Sequence, residues 1–187
     1  KVSYSLFANE NKQLHSKVLL ITENKLNQNF QNVDQRFSNT LSAKLADVRM
    51  GIITPDTITS KIASSNQQEL RSIYQELDKN NKLTLARQMG ANAILTVNLN
   101  SYTKKRADIP KFDRSVITFT LVSDYRFISV SNGSAFAGES FSVEKKIPIT
   151  SQVGLSFSED VVLSELIEQT VDLISKNILN SDFLESE

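Results

Sequence analysis

The segment between Tyr102 and Arg114 is the one part of the sequence where charged and aromatic side chains are dense enough to recognise a partner. A run of basic residues with aromatic residues beside it is typical of a loop that contacts phosphate groups or an acidic protein surface. Asp108 and Asp113 dilute the positive charge, so a protein partner is favoured over nucleic acid. An ordinary solvated loop is the alternative. The predicted contact residues are Tyr102, Lys104, Lys105, Arg106, Lys111, Phe112 and Arg114.

Side chains that carry catalysis or hold metals are scarce in this sequence. The chain has no cysteine and a single histidine, His15, which excludes thiolate metal sites, disulfide scaffolds and cysteine nucleophiles. It contains no GxSxG nucleophile elbow, phosphate loop or GxGxxG fingerprint. Glu159 and Asp160 are explained as acids in the first turn of a helix. We therefore predict a protein that is not an enzyme and that needs no metal and no cofactor.

Length and composition predict one folded domain. The 187 residues are 40% hydrophobic, with 5 glycines and 3 prolines, a composition that supplies a core and argues against disorder. Lys plus Arg and Asp plus Glu total 21 each, so the net charge is zero and a strongly basic nucleic-acid binder is not expected. No apolar run approaches the roughly 18–20 residues of a membrane-spanning helix. Because the chain starts with Lys1, we predict a processed form without its leader or anchor.

The first half of the sequence predicts alternating strands and helices. The apolar run at 17–22 indicates a central strand covered on both faces. Thr54 before Pro55 is typical of a helix start, and Gly90 of a left-handed helix end. Residues 78–81 form a polar break. The predicted elements are a strand at 17–22, a helix of about four turns at 30–45, a strand at 48–53, and helices at 55–63, from Asn66 onward, and at 83–89.

The second half predicts a strand, a charged loop, a hairpin and a closing helix. Residues 93–100 alternate between an apolar and a more polar face, and 103–114 are predicted to form the charged loop. Asn132-Gly133 predicts a tight hairpin between a strand at 117–127 and a return strand at 135–145 that ends at Pro148. The predicted core residues of the last helix, capped by Ser158, are Val162, Leu166, Val171, Leu173, Ile174 and Ile178.

This order of elements predicts an α/β (α+β) fold, a single layered domain in which helices pack on a mixed β-sheet of about five strands. The predicted boundaries are an N-terminal arm or edge strand at 1–16, the domain at 17–180 and a C-terminal tail at 181–187. The absence of cysteine and the many Asn and Gln residues are typical of an exported bacterial protein.

Three segments together resemble a known family. They are a strand, loop and helix at 17–47, the pattern L-A-x-x-x-G-A-x-A-I-L-x-V within 83–102, and the hairpin at 119–141. Their order resembles bacterial envelope proteins built on the N-terminal domain of the Tol-Pal translocation protein. These include the outer-membrane lipoprotein that activates a bifunctional penicillin-binding protein, and the curli-secretion channel lipoprotein.

The resemblance implies a periplasmic protein, anchored at the outer membrane, that has no enzymatic activity and docks on another envelope protein. That partner would be a cell-wall synthase or a secretion component. The anchoring cysteine of such lipoproteins is absent from the sequence. Two alternatives stay open. One is the soluble part of a subunit of an outer-membrane secretion pore, which Asp124, Arg126 and Glu139 in mid-strand disfavour. The other is a small-ligand binder or enzyme with a pocket near Asp108, Asp113 or Glu139.

Overall fold

The computed structural model of the chain describes residues 16–26, 30, 32–46, 50–65, 72–73, 78–112, 114–150 and 157–180. Four predictions concern other residues and lie outside this description: the N-terminal arm with His15, the strand start at Val48, the helix start at Asn66 and the C-terminal tail. Within the described part, helices pack on both faces of one sheet.

Five strands form this sheet: β1 (Ser16–Asn24), β2 (Met50–Ile53), β3 (Ala93–Ile109), β4 (Arg114–Ser129) and β5 (Ala135–Thr150). Their order across the sheet is β2-β1-β3-β4-β5. β1 is parallel to β2 and β3, whereas β4 is antiparallel to both of its neighbours, β3 and β5. The predicted mixed sheet of about five strands is confirmed.

The described helices are α1 (Val33–Ala46), α2 (Pro55–Ser65), α3 (Lys79–Gln88) and α4 (Glu159–Leu179). The predicted polar break at 78–81 is wrong, because it contains the start of α3. The side chain of Asp78 accepts a hydrogen bond of 2.7 Å from the backbone N–H of Asn81, which caps this helix. Gly90 follows the helix with a φ of 71°, as predicted. In the described ranges, no helix has both the length and the apolar composition needed to cross a bilayer.

The sheet has two faces with separate cores. We call the face that packs on α1 and α4 the front face, and the face that packs on α2 and α3 the back face. Val18 and Leu20 of β1 belong to the front core, and Leu19 and Ile21 to the back core, each at most 6% exposed. β1 is therefore covered on both sides, as its unbroken apolar run predicts.

The predicted charged loop at 103–114 is wrong. β3 continues through this segment to Ile109, a 3-10 helix turns the chain at Pro110–Phe112, and β4 begins at Arg114. Side chains at 103–108 are mostly polar or charged on both faces, so no hydrophobic alternation marks the strand. Backbone pairing with β4 forms it instead, as far as the pair Ile109–Arg114. We call residues 101–122, which lie beyond the last pairing of β1 with β3, the arm.

The side chains of β3 change phase at the base of the arm. Leu99 points to the front face, and the register with β4 then shifts between Leu99 and Ser101. A bulge of one residue reverses the alternation of all residues that follow it. Tyr102 is consequently the next front-facing residue. It is followed on that face by Lys104, while Lys105 points to the back.

The return strand is longer than predicted. β5 continues to Thr150, and Pro148 is in register with Val116 rather than ending the strand. β5 is the outer strand of the sheet. An edge strand accommodates proline, since the side that lacks an N–H can face away from the ladder. The predicted hairpin turn is confirmed, with Gly133 at a φ of 70°.

Helix α4 has the predicted core face with one exception. Of the predicted core residues, Val162, Leu166, Val171, Ile174 and Ile178 are at most 3% exposed. Leu173 is 36% exposed, so its predicted core position is wrong. The buried stripe turns along the helix, and beside Leu173 it has moved to Ile174 and Ser175.

The two leucines provide a matched test of this packing. Leu166→Ala should lower the free energy of unfolding by about 3 kcal/mol, because it leaves a cavity at a fully buried position. Leu173→Ala should lower it by about 1 kcal/mol or less, because that side chain already contacts solvent. Urea unfolding followed by circular dichroism measures both. Equal losses for the two variants would contradict the described orientation of α4.

Candidate partner-binding arm and back-face cavity

Tyr102, one of the predicted contact residues, is only 6% exposed. Its ring meets Phe30 edge-on at a centroid distance of 5.0 Å and lies 6.1 Å from Phe119. The phenol oxygen is buried and has no hydrogen-bond partner among the described residues. Burial, together with the nearby Glu159 carboxylate, raises the pKa of Tyr102 to about 12. The ring therefore contributes to the front core of the arm.

Lys104 is bound to the first turn of α4. Its ammonium group donates a hydrogen bond to Glu159 and lies 5.6 Å from the ring centre of Phe119 and 5.7 Å from that of Phe157. Cations over aromatic rings are attracted by the negative ring face. Glu159, predicted only as a helix-end acid, thus also joins α4 to the arm.

Arg106 is engaged within the arm as well. Its Nε donates to Asp108 at 2.9 Å and its Nη2 to Ser115 at 3.0 Å, while the Ser115 hydroxyl donates to Asp108 at 2.6 Å. The hydrogen bond from Ser115, and then the contacts of Arg106, lower the pKa of the Asp108 carboxyl. Asp108 is therefore held as an anion beside Arg106. Asp113 lies outside the described residues.

The other predicted cations are exposed. Lys105 points to the back face, Lys111 lies in the 3-10 turn and Arg114 begins β4. None of the three forms an ion pair with a described residue. We call these three residues the arm end. The side chain of Phe112 lies outside the description.

A cavity of about 480 Å³ opens on the back face, where α3 meets β3 and β4. Asp124 of β4 lies in its wall and accepts hydrogen bonds from the side-chain amides of Asn98 at 2.8 Å and Asn100 at 2.6 Å. The oxygen of Asn98 is buried without a partner among the described residues, at a cost of about 1–3 kcal/mol.

A second carboxylate in this wall is neutralised. Glu23 accepts a hydrogen bond of 2.9 Å from Lys82 and lies 3.7 Å from Lys25. The hydrogen bond from Lys82 is the main cause that lowers the pKa of Glu23. The Glu23–Lys82 pair contributes no net charge to the cavity.

Two cations in the cavity wall have no such partner. Arg126 and Lys79 both line the cavity, both are exposed, and neither forms an ion pair within the part of the chain that the structure describes. The sequence predicts the polar face of β3, but its pattern alone does not place that face beside Asp124 and Arg126. The alternation of polar residues on two successive strands was the signal that could have found the site.

In the described ranges, no group of three or more His, Cys, Asp or Glu side chains could hold a metal ion.

Comparison with known proteins finds similarity at the level of structure. No family model matches the sequence, and no curated protein matches it. The lipoprotein GNA1162 from Neisseria meningitidis is similar with a TM-score of 0.51 and 16% identity, covering 86% of this chain and 99% of that one.

Two further structures have comparable scores. The hypothetical protein CT253 from Chlamydia trachomatis has a TM-score of 0.54 at 11% identity, covering 87% of this chain and 97% of that one. A putative neuraminyllactose-binding hemagglutinin homolog from Helicobacter pylori has a TM-score of 0.52 at 11% identity, covering 87% of this chain and 84% of that one. At these identities the comparisons establish a fold that occurs in bacterial proteins, one of them a lipoprotein.

The buried hydroxyl of Tyr102 leads to a prediction for the free energy of unfolding at neutral pH. Tyr102→Phe should raise the free energy of unfolding by about 1 kcal/mol, because it removes a buried hydroxyl that has no partner and keeps the ring contacts. Urea unfolding at pH 7 measures this. A loss of stability would show that the hydroxyl makes a favourable hydrogen bond.

Tyr102→Phe also tests how the free energy of unfolding changes at alkaline pH. The pKa of Tyr102 is raised from the ordinary 10.0 to about 12, so the unfolded chain releases this proton first. The free energy of unfolding should therefore fall as the pH rises from 10 to 12. Tyr102→Phe should reduce that fall but not abolish it, because burial also raises the pKa of Tyr125. An identical pH dependence in both proteins would contradict the assignment.

Proposed function

We propose that the chain is a non-enzymatic binding module of the bacterial cell envelope. It acts on the periplasmic side, held at the outer membrane by an anchor, and docks on another envelope protein such as a peptidoglycan synthase. The arm end, Lys105, Lys111 and Arg114, forms the contact. The observation that carries this proposal is the exposure of these cations on the paired strands β3 and β4 and on the turn that joins them.

The shape of the arm supports a docking role. β1 pairs with β3 only as far as Leu99, so the outer edge of the arm has no neighbouring strand among the described residues. β4 nevertheless pairs with β5 from Arg114 to Ile128. A binding element on such a support is held in place before the partner arrives, which lowers the entropy lost on association.

The charges of the arm support an acidic partner surface. Lys104 and Arg106 are already paired with acids of this chain, whereas the arm end is not. Unpaired surface cations attract an acidic surface and increase its rate of association. The structural similarity to a lipoprotein supports the envelope location, and the resemblance to the Tol-Pal domain proteins supports a synthase as partner.

Charge reversal tests the contact. A variant with Lys105→Glu, Lys111→Glu and Arg114→Glu should lose at least about tenfold in capture of its envelope partner, since the arm end would repel an acidic surface. The measurement is pull-down of a peptidoglycan synthase from detergent-solubilised envelopes, followed by surface plasmon resonance with the purified synthase. Urea unfolding should be nearly unchanged, because exposed charges contribute little to stability.

The matched control carries the same number of reversals on other elements, at the exposed Lys17, Lys79 and Lys176. It should bind as the unmodified chain does. Equal binding by both variants would move the contact away from the arm end. Recovery of cytosolic proteins alone would reject the envelope partner itself.

A second candidate function is the soluble part of a subunit of an envelope assembly or secretion pore. It is favoured by β5, whose 16 residues form an outer edge open to pairing among the described residues. The native mass of the lipidated full-length protein distinguishes the candidates. A ring-sized oligomer supports the assembly subunit, and a monomer supports the docking module.

A further inference from the structure

We propose that the back-face cavity binds a free α-amino acid with an apolar side chain. The guanidinium of Arg126 takes the ligand's carboxylate, and the carboxylate of Asp124 takes its ammonium group. This site is separate from the arm end, and the inference goes beyond the docking function. It does not depend on the identity of any protein partner.

Asp124 is prepared to accept a cation. Its two present hydrogen bonds come from neutral amides, Asn98 and Asn100, so its negative charge is not neutralised. A carboxylate has about four acceptor positions, which leaves about two for a ligand. The two amides also fix its orientation, as a preformed binding group requires.

Arg126 is prepared to accept an anion. It lies two residues after Asp124 on the same strand, so both side chains start from the back face about 6.6 Å apart. No ion pair joins them. Two opposite charges that lie side by side without contact are complementary to an α-amino acid, which has a carboxylate and an ammonium group attached to the same carbon atom. Arginine binds carboxylates through two parallel hydrogen bonds.

The other residues that line the cavity determine which side chain and which charges a ligand can have. Leu83, Ile94 and Ile128 line the cavity and provide apolar contact for a side chain. The volume of about 480 Å³ lies within the usual range of small-molecule sites. Inorganic phosphate would leave the carboxylate of Asp124 without a cation and place a second negative charge near it, so a ligand that carries both charges is favoured over phosphate. Lys79 adds a second cation for the carboxylate.

Binding of L-leucine, measured by isothermal titration calorimetry at low salt, tests the site. N-acetyl-L-leucine lacks the ammonium group, and L-leucinamide lacks the carboxylate. Each should bind at least about tenfold more weakly than L-leucine, the equivalent of about 1.4 kcal/mol. Inorganic phosphate should bind more weakly still.

Two variants test which residue contacts each charged group of the ligand. Arg126→Gln should weaken L-leucine about tenfold and bind it no better than L-leucinamide, since the carboxylate contact is lost. Asp124→Asn should in the same way abolish the preference for L-leucine over N-acetyl-L-leucine. Lys176→Gln is the control: it removes one exposed cation from α4, outside the cavity, and should bind as the unmodified chain does.

Three results would overturn the proposal. They are no binding of L-leucine up to about 10 mM, equal binding of the capped compounds, and equal binding of phosphate. If Asp124→Asn fails to fold, the unmodified chain with the two capped compounds still decides the matter. If the unmodified chain binds L-leucine but captures no synthase, the docking function alone is rejected.

Discussion

One extra residue in β3 determines which face of the sheet each β3 side chain of the arm points to. The register shift between Leu99 and Ser101 reverses the alternation of the strand, so Tyr102 enters the front core. Without the shift, Tyr102 would point to the back face and Lys105 would point toward α4 in place of Lys104. The contribution of β3 to the front core of the arm therefore depends on a single backbone irregularity.

The same irregularity separates the charges of the arm into two classes. Lys104 is joined to Glu159 and to two aromatic rings, while its neighbour Lys105 points to the opposite face without an acid beside it. Asn100, at the shift, donates a hydrogen bond from its amide to Asp124 and so helps to orient this carboxylate of the cavity wall. The contacts of Lys104, the exposure of Lys105 and the hydrogen bond from Asn100 to Asp124 are thus all related to this register shift in β3.

The sequence predicts the elements whose side chains have a clear period. The run at 17–22, Gly90 and the Asn132-Gly133 turn agree with the structure, and the helix predicted at 30–45 is found at Val33–Ala46. The strand at 103–109 could not be recognised, because charged residues occupy both of its faces and only pairing with β4 forms it. The cavity was missed for a related reason. Asn98 and Asp124 are 26 residues apart, and the register of β3 with β4 alone brings them together.

Pro148 restricts how other strands can approach the sheet. It stays in register with Val116 although it has no N–H to donate, so the missing donor lies on the outer side of β5. A strand that pairs with β5 from outside finds continuous donors and acceptors only before this position. The alignment of such a strand along β5 is therefore restricted. The last residues of this edge cannot pair continuously with further copies of the chain.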